Sequence, residues 1–242
     1  VFVGSHVQPD GTVALVEVTL PAIVDGDELV RQGRRWSRLV ATIGVIVIVT
    51  LAVGNLALLG VTLGARVIID RPPAATINGV GALRTVDDKV LRGANPTHEG
   101  YEGLHASGVT TIVDLRAETY AHKDDAFIES LGLRVVHLPI RDGQTPSDEQ
   151  QAAFAQIVGE SEGPVFLHCG AGVGRTGVVA ARYLVETGQL SPLEALARNL
   201  EVGPPSLEQD AYSLGIDLGP AHPLLVAASR FFDSPRRILH YL

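Results

Sequence analysis

One cysteine, Cys169, stands in 242 residues, which excludes an intrachain disulfide and any zinc site built from cysteines. That thiol is therefore either a small buried apolar group or a reactive one. Methionine is absent and the chain begins with Val1, which fits an initiator written as valine or a trimmed start. Basic charge is in deficit: 19 Lys and Arg face 27 Asp and Glu, for a formal charge of −8 and a pI near 5.4. With no basic patch to offset it, this balance argues against nucleic acid as a partner. The chain shows no internal repeat. His98, His105, His122, His137 and His222 are scattered without metal-ligand spacing, so neither a metal nor another cofactor is expected.

Apolar residues are plentiful by contrast. They make up 46% of the chain, and the mean hydropathy is +0.23, high for a sequence with 19% charged residues. Much of the excess sits in "LVATIGVIVIVTLAVGNLALLGVTLGA", residues 39–65, which carries no charged side chain. As a helix this run is about 40 Å long at ~1.5 Å per residue, more than the ~30 Å hydrocarbon core of a bilayer. A buried core helix seldom runs so far without a polar side. A signal peptide has a shorter apolar region, closer to the N-terminus. The expectation is a single transmembrane helix in a lipid bilayer, with Gly60 and Gly64 as a GxxxG pair suited to helix packing. Arg31, Arg34, Arg35 and Arg38 precede the run, and only Arg66 and Arg71 follow closely. That bias puts the N-terminus inside and the rest of the chain on the non-cytoplasmic side. Ahead of the helix, residues 1–38 form a short segment ending in the basic flank. "GTVALVEVTLP" alternates as a strand does and "QPDG" reads as a turn.

Residues 66–75 read as a linker, and from residue 76 the pattern becomes regular α/β. "GALRTVDDKVLRG" suggests a hairpin, "THEGYEGLHASG" a helix, "VTTIVDLR" a strand and "ETYAHKDDAFIESLG" a second helix. "LRVVHLPI" is the next strand. Ser147 with Gln150 opens a helix by a capping box, "GPVFLHC" is a buried strand, and "RTGVVAARYLVETG" is a helix. Ser191, Pro192 and Glu194 open another, with proline at its first position, and Ser206 with Gln209 a further one. Alternating strands and helices imply a central, mostly parallel sheet flanked by helices. The domain is placed at residues 76–218, and residues 219–242 form a tail that packs on the domain or on lipid.

The chemistry concentrates in "PVFLHCGAGVGRTGVVA", residues 164–180. A strand ending at His168 and Cys169 runs into Gly170, Ala171, Gly172, Val173 and Gly174, and a helix begins near Arg175. The N–H groups of such a loop turn inward as an anion nest, and the helix N-terminus adds positive charge. Glycines and alanine leave the backbone open to a ligand. A cysteine at the mouth of the loop is stabilised as thiolate by the same field. Arg175 closes the loop with a planar fork suited to two phosphate oxygens.

The string HCGAGVGRTG matches the H-C-x5-R-S/T-G signature and resembles the protein tyrosine and dual-specificity phosphatase superfamily. The resemblance covers roughly residues 76–215. "VLRGANPTHEGYEGLHASGVTTIVDLRAE", "HLPIRDGQTPS" and "GPPSLEQ" look like segments of its compact bacterial and fungal dual-specificity-like branch. It implies an α/β dual-specificity phosphatase-like fold and a phosphoric monoester hydrolase. Cys169 is then the nucleophile that forms a phosphocysteine intermediate. Arg175 binds the phosphoryl oxygens in the transition state, and residues 170–175 form the phosphate-binding loop. Asp142, on a Gly/Pro-bounded loop, is the candidate general acid and then base, with a turn-forming aspartate as the plain alternative. Asp148, in the first turn of a helix, is its reserve. Thr176 either donates its hydroxyl to the sulfur or makes ordinary helix-start hydrogen bonds. His168 orients the loop, Asp114 ties Arg116 or a neighbouring loop, and Gln209 completes its capping box rather than holding a hydrolytic water.

The substrate follows less directly. Phosphoinositide and inositol-phosphate phosphatases of this superfamily often carry lysines inside the loop, where this chain has Gly170 and Val173. That favours phosphotyrosine or phosphoserine/threonine in proteins, with a phospholipid substrate kept open by the membrane anchor. A non-catalytic phosphate-binding membrane module is the rival from another class. Nothing in the sequence sets the oligomeric state.

Overall fold

The computed structural model describes residues 2–7, 11, 13–18, 26–68, 76–216 and 223–241. The chain divides into two compact units, Val1–Thr50 and Leu51–Leu242. In the first, β1 (Phe2–Val7) and β2 (Val13–Val18) pair antiparallel. β2 falls within the alternating stretch. Of the expected "QPDG" turn only Gly11 is among the described residues, with φ +83°.

Helix α1 (Gly26–Ile68) begins well before residue 39, so the basic flank is helical as well. Asp27 and Glu28 sit in its first turn, where negative charge meets the positive end of the helix dipole. From Asp27 to Ala65 the helix is long and apolar enough to cross a membrane, and none of its most apolar window is buried. Ile43, Ile46 and Val49 are all exposed. Most of the expected linker (69–75, with Arg71), the last two residues of the expected domain (217–218) and the start of the tail (219–222, with His222) lie outside the described residues.

The second unit carries a five-stranded sheet: β3 (Arg84–Thr85), β4 (Val90–Gly93), β5 (Thr111–Arg116), β6 (Arg134–Ile140) and β7 (Val165–His168). The spatial order is β3-β4-β7-β5-β6. β3 and β4 are antiparallel; every other pairing is parallel, giving the mostly parallel sheet expected. The register sets Gly93 and Asp114 on either side of His168, so β4 and β7 end at one level and β5 two residues beyond it. The loops that follow them converge there, the usual place for a site in such a sheet.

Period-two alternation divides the core. Val165 and Leu167 of β7, with Cys169 just after it, join one apolar cluster with Phe154, Val178 and Leu184, while Phe166 joins the other with Tyr101, Leu104 and Ile112. The helices are α2 (His98–Ala106), α3 (Asp125–Ser130), α4 (Asp148–Glu160), α5 (Gly174–Glu186), α6 (Pro192–Val202), α7 (Leu207–Ser213) and α8 (Pro223–Tyr241). All three expected capping boxes form, at Ser147–Gln150, Ser191–Glu194 and Ser206–Gln209.

Two expectations change. "ETYAHKDDAFIESLG" is not one helix: a 3-10 turn (Ala121–Asp124) precedes the short α3. There Asp125 N–H donates to His122 O in the i+3 pattern, and Arg116 Nη2 ties the turn by donating to Ala121 O at 3.0 Å. The tail left open between domain and lipid forms α8, and its Ser229 and Asp233 are buried.

Candidate active site

The loop after β7 is held by its carbonyls. Asn95 N–H donates to Gly170 O at 3.0 Å, and Arg92 Nη2 donates to Gly172 O at 2.7 Å and Val173 O at 3.3 Å. A trans peptide sets its N–H opposite its C=O. Drawing these carbonyls outward therefore turns the N–H groups of Ala171, Val173 and Gly174 to the other side, as an anion nest requires. Gly172 has φ +74°, and a Cβ there would come within 2.5 Å of Ala94 N. Gly177 packs so closely on Asn199 that any Cβ would collide with its amide. Asn199 Oδ1 accepts from Arg92 Nη1 at 3.1 Å and so braces the arginine that braces the loop. Burial lowers the Arg92 pKa to about 10, against the opposing pull of the Cys169 charge.

Cys169 is buried at 3% exposure, and Arg175, at 5%, is turned inward with it. Arg175 Nη1 donates to Glu118 Oε2 at 2.9 Å and to Ile140 O at 3.1 Å, while Nη2 stands 3.7 Å from Asp142 Oδ1. Nε is buried without a hydrogen-bond partner among the described residues. Burial pulls the Arg175 pKa down, but Glu118, Cys169 and Asp142 together hold it above its ordinary value. Glu118 feels burial in the opposite sense, and its bond to Arg175 keeps its carboxyl below the usual range. A permanently charged fork thus faces the loop.

Asp142 lies in the turn after β6, where Gln144 N–H donates to Arg141 O at 3.0 Å. The turn brings the Asp142 carboxylate to Arg175. Its side chain is 42% exposed, open to a substrate. Asp148 occupies the first turn of α4, as expected of a dipole partner.

Thr176 is fully buried, and its Oγ1 has no hydrogen-bond partner among the described residues. Among the described residues it therefore makes neither the hydroxyl-to-sulfur bond nor a helix-start hydrogen bond. His168 is also fully buried, and its Nδ1 lies 3.2 Å from Cys169 O. A carbonyl only accepts, so Nδ1 carries the hydrogen. Burial lowers the His168 pKa to about 4 and keeps the ring neutral. Asp114 accepts from Arg116 Nε and Nη2, the latter at 2.7 Å. Burial pushes its carboxyl up, but the hydrogen bonds and charge of Arg116 bring it below the usual range. Gln209 completes its capping box and also donates from Nε2 to Gln144 O at 2.8 Å, so it grips the acid loop.

Glu118, Arg92, Asn95 and Asn199 were not singled out from the sequence; a buried-strand arginine and a carboxylate two residues past "DLR" are the signals that mark two of them. The histidines are less scattered than their spacing suggests. The ligand atoms of His122, Asp125 and His137 all lie within 4.8 Å of one another, because β6 runs back beside the 3-10 turn. His98 instead stacks on Phe127, with ring centroids 3.9 Å apart.

Residues 78–213 match the family model described as "DSP-PTPase phosphatase fused to NAD+ Kinase", and the chain belongs to that family. Among curated relatives, the chain is 41% identical over 100 residues to a probable chloroplastic NAD kinase 2 of Oryza sativa subsp. japonica, covering 38% of this chain and 10% of that protein. It is 33% identical over 118 residues to the putative tyrosine phosphatase 067L of Invertebrate iridescent virus 3, covering 46% and 48%. It is 32% identical over 131 residues to the tyrosine-protein phosphatase cdc-14 of Caenorhabditis elegans, covering 54% and 17%. The chain thus spans less than half the length of each of these relatives. Two solved structures share the fold. P. aeruginosa TpbA superposes with a TM-score of 0.50 at 24% identity, covering 64% of this chain and 95% of that one. The core catalytic domain of the PP-IP phosphatase SIW14 from S. cerevisiae gives 0.51 at 16%, covering 64% and 97%. The second unit contains a phosphatase domain of the dual-specificity and protein tyrosine phosphatase type.

Proposed function

We propose that this chain is a membrane-anchored, cysteine-dependent phosphatase acting on phosphomonoesters of proteins. The observation that carries the reading is the meeting of Arg175 with Asp142, at 3.7 Å, over the loop that Cys169 opens. In the first step the Cys169 thiolate attacks phosphorus, the S–P bond forms, and the P–O bond breaks as Asp142 passes its proton to the leaving oxygen. Arg175 and the loop N–H groups carry the charge of the transferring phosphoryl group. In the second step the Asp142 carboxylate takes a proton from water, whose oxygen displaces the sulfur. Phosphate leaves and the thiolate returns. Thr176 Oγ–H donates to the departing Cys169 sulfur, His168 supports the loop, and Asp114 supports Arg116.

The short loop side chains, Gly170 and Val173, favour a substrate with one phosphate over a polyphosphorylated inositol. Names of two of the relatives, tyrosine phosphatases, point the same way. The anchor rests on α1: a core helix of this length would be covered, and its most apolar window is not. The uncharged run at 39–65 exceeds the ~30 Å core by about 10 Å. With Trp36 and Arg38 at one interface, about 20 residues of helix bring the chain to the other near Asn55. The arginine bias orients residues 1–38 inward and the domain, placed at residues 76–218, outward.

The test is hydrolysis of aryl phosphates and phosphopeptides by the full chain in detergent or nanodiscs, with Cys169→Ser and Asp142→Asn as controls. Turnover lost in the first and sharply reduced in the second, with phosphopeptide binding kept, supports the enzyme. Binding without turnover in the parent leaves a phosphate-binding module instead, and preference for a phosphoinositide in the same assay overturns the protein substrate. Reporter fusions at either end read the orientation.

A further inference from the structure

The first N–H groups of a helix have no partner within it. At the start of α7 each finds a side chain. Leu207 N–H donates to Asp233 Oδ2 at 3.3 Å, Glu208 N–H to Ser229 Oγ at 3.0 Å, and Gln209 N–H to Ser206 Oγ at 3.2 Å. Ser229 Oγ–H donates onward to Asp233 Oδ2 at 3.1 Å. Ser229 and Asp233 both belong to α8, and they are 4% and 3% exposed. Burying a hydroxyl and a carboxylate is unfavourable unless they satisfy donors. Here they satisfy the two N–H groups of α7 that its own cap leaves over.

The same turn of α7 grips the acid loop with its other side. Ser206 Oγ donates to Gly143 O at 2.9 Å and Gln209 Nε2 to Gln144 O at 2.8 Å, at the two residues that follow Asp142. Gln209 also rests on the phosphate loop, since a Cβ on Gly174 would come within 2.6 Å of its Oε1. At the far end of the chain of contacts, the ring of Phe232 lies against Gly54 of α1, so close that any Cβ at Gly54 would collide with it. Asn55 Nδ2 donates to Phe232 O at 3.3 Å. Phe232 stands between Ser229 and Asp233 on α8. The GxxxG glycines, Gly60 and Gly64, meet nothing within 4 Å, so the glycine of α1 that accepts a neighbouring helix is Gly54.

Resting on the phosphatase reading above, we infer that Ser229 and Asp233 are positioning residues for the general acid. Through α7 they set where Asp142 stands relative to Arg175, and the seat of Phe232 on Gly54 and Asn55 makes α8 the link between the anchor helix and the acid loop. A general acid matters most when the leaving group is poor. Displacing the acid loop therefore slows a poor leaving group selectively, whereas general loss of folded protein slows every substrate alike.

The experiment uses the full chain in nanodiscs, with phenyl phosphate as the poor leaving group and nitrophenyl phosphate as the good one. Ser229→Ala and Asp233→Ala are expected to lower kcat on phenyl phosphate about fivefold, the worth of one lost cap, with KM and nitrophenyl phosphate turnover little changed. Ser229→Thr keeps the hydroxyl and restores the parent value, and Gly54→Leu gives the same selective loss by unseating Phe232. Amide hydrogen exchange over residues 141–146 rises in the same variants, a readout independent of turnover. Equal losses on both substrates, or no loss with unchanged exchange, overturn the positioning role. A parent-like Gly54→Leu beside an affected Ser229→Ala overturns the link to α1. An inactive parent sinks the phosphatase reading, while the exchange data still decide the strut.

Discussion

Arg175 Nη1 donates to Glu118 Oε2 at 2.9 Å, and this bond decides which way the guanidinium faces. With Nη1 committed to Glu118 and to Ile140 O, the rest of the fork is left for the loop, where Nε has no hydrogen-bond partner among the described residues. Glu118→Gln keeps the shape and removes the charge. It is expected to lower kcat/KM by about tenfold or more, the worth of one hydrogen bond between charged groups. Arg175→Lys, which cannot present a fork, is expected to cost about a hundred- to a thousandfold. Steady-state kinetics on an aryl phosphate reads both, and equal rates in Glu118→Gln and parent contradict the orienting role.

Asp142→Asn is expected to lower kcat by about a hundred- to ten-thousandfold. The deficit should shrink as the leaving group improves, since a good leaving group needs little help from a proton. A series of aryl phosphates of graded leaving-group acidity measures this directly. A deficit that is constant along the series assigns Asp142 to its turn instead.

Gly177→Ala puts a methyl group where the Asn199 amide lies. Asn199 must give way, and with it goes the brace on Arg92 and the carbonyls of Gly172 and Val173. Overpacking of this kind costs about 1–3 kcal/mol. The expected result is a lower Tm together with weakened binding of inorganic phosphate or vanadate, in contrast to an alanine at exposed Gly159 of α4, whose Cβ meets nothing.

His168 gives the fold a pH dependence of known sign. Burial holds its pKa near 4 in the folded chain, against about 6.5 when unfolded. As pH falls, the unfolded chain takes the proton first. The neutral ring's contribution is therefore intact above pH ~6.5 and fades as pH drops towards 4, by roughly 2 kcal/mol at pH 5. Denaturant unfolding at pH 7.5 and pH 5 checks this, with His168→Gln expected to show a flatter dependence. Equal slopes in parent and variant contradict it.

The parts of the site that are contiguous in sequence were legible there. Cys169, its glycines and Arg175 announce a strand, a tight loop and a helix start in a few residues, and the capping boxes mark where helices begin. What stayed hidden depends on strand order. Arg92 reaches Gly172 because β4 lies beside β7 in the sheet, which nothing local to either strand specifies. Glu118 meets Arg175 across β5 and β7. The 3-10 turn in "ETYAHKDDAFIESLG" is tied by an arginine side chain from the preceding strand, a contact that helix propensity has no means of seeing. His122 and His137 look unrelated until β6 carries the second back to the first, and the tail's Ser229 and Asp233 look like surface residues until α7 needs them.

The central claim is that one sulfur takes the phosphoryl group, and trapping that species tests it most directly. The full chain is mixed with an aryl phosphate, quenched in denaturant within the first turnovers, digested and measured by mass spectrometry. The account predicts a phosphoryl group on the peptide that contains Cys169, absent in Cys169→Ser. Sustained turnover with that peptide unmodified, or undiminished turnover in Cys169→Ser, contradicts it.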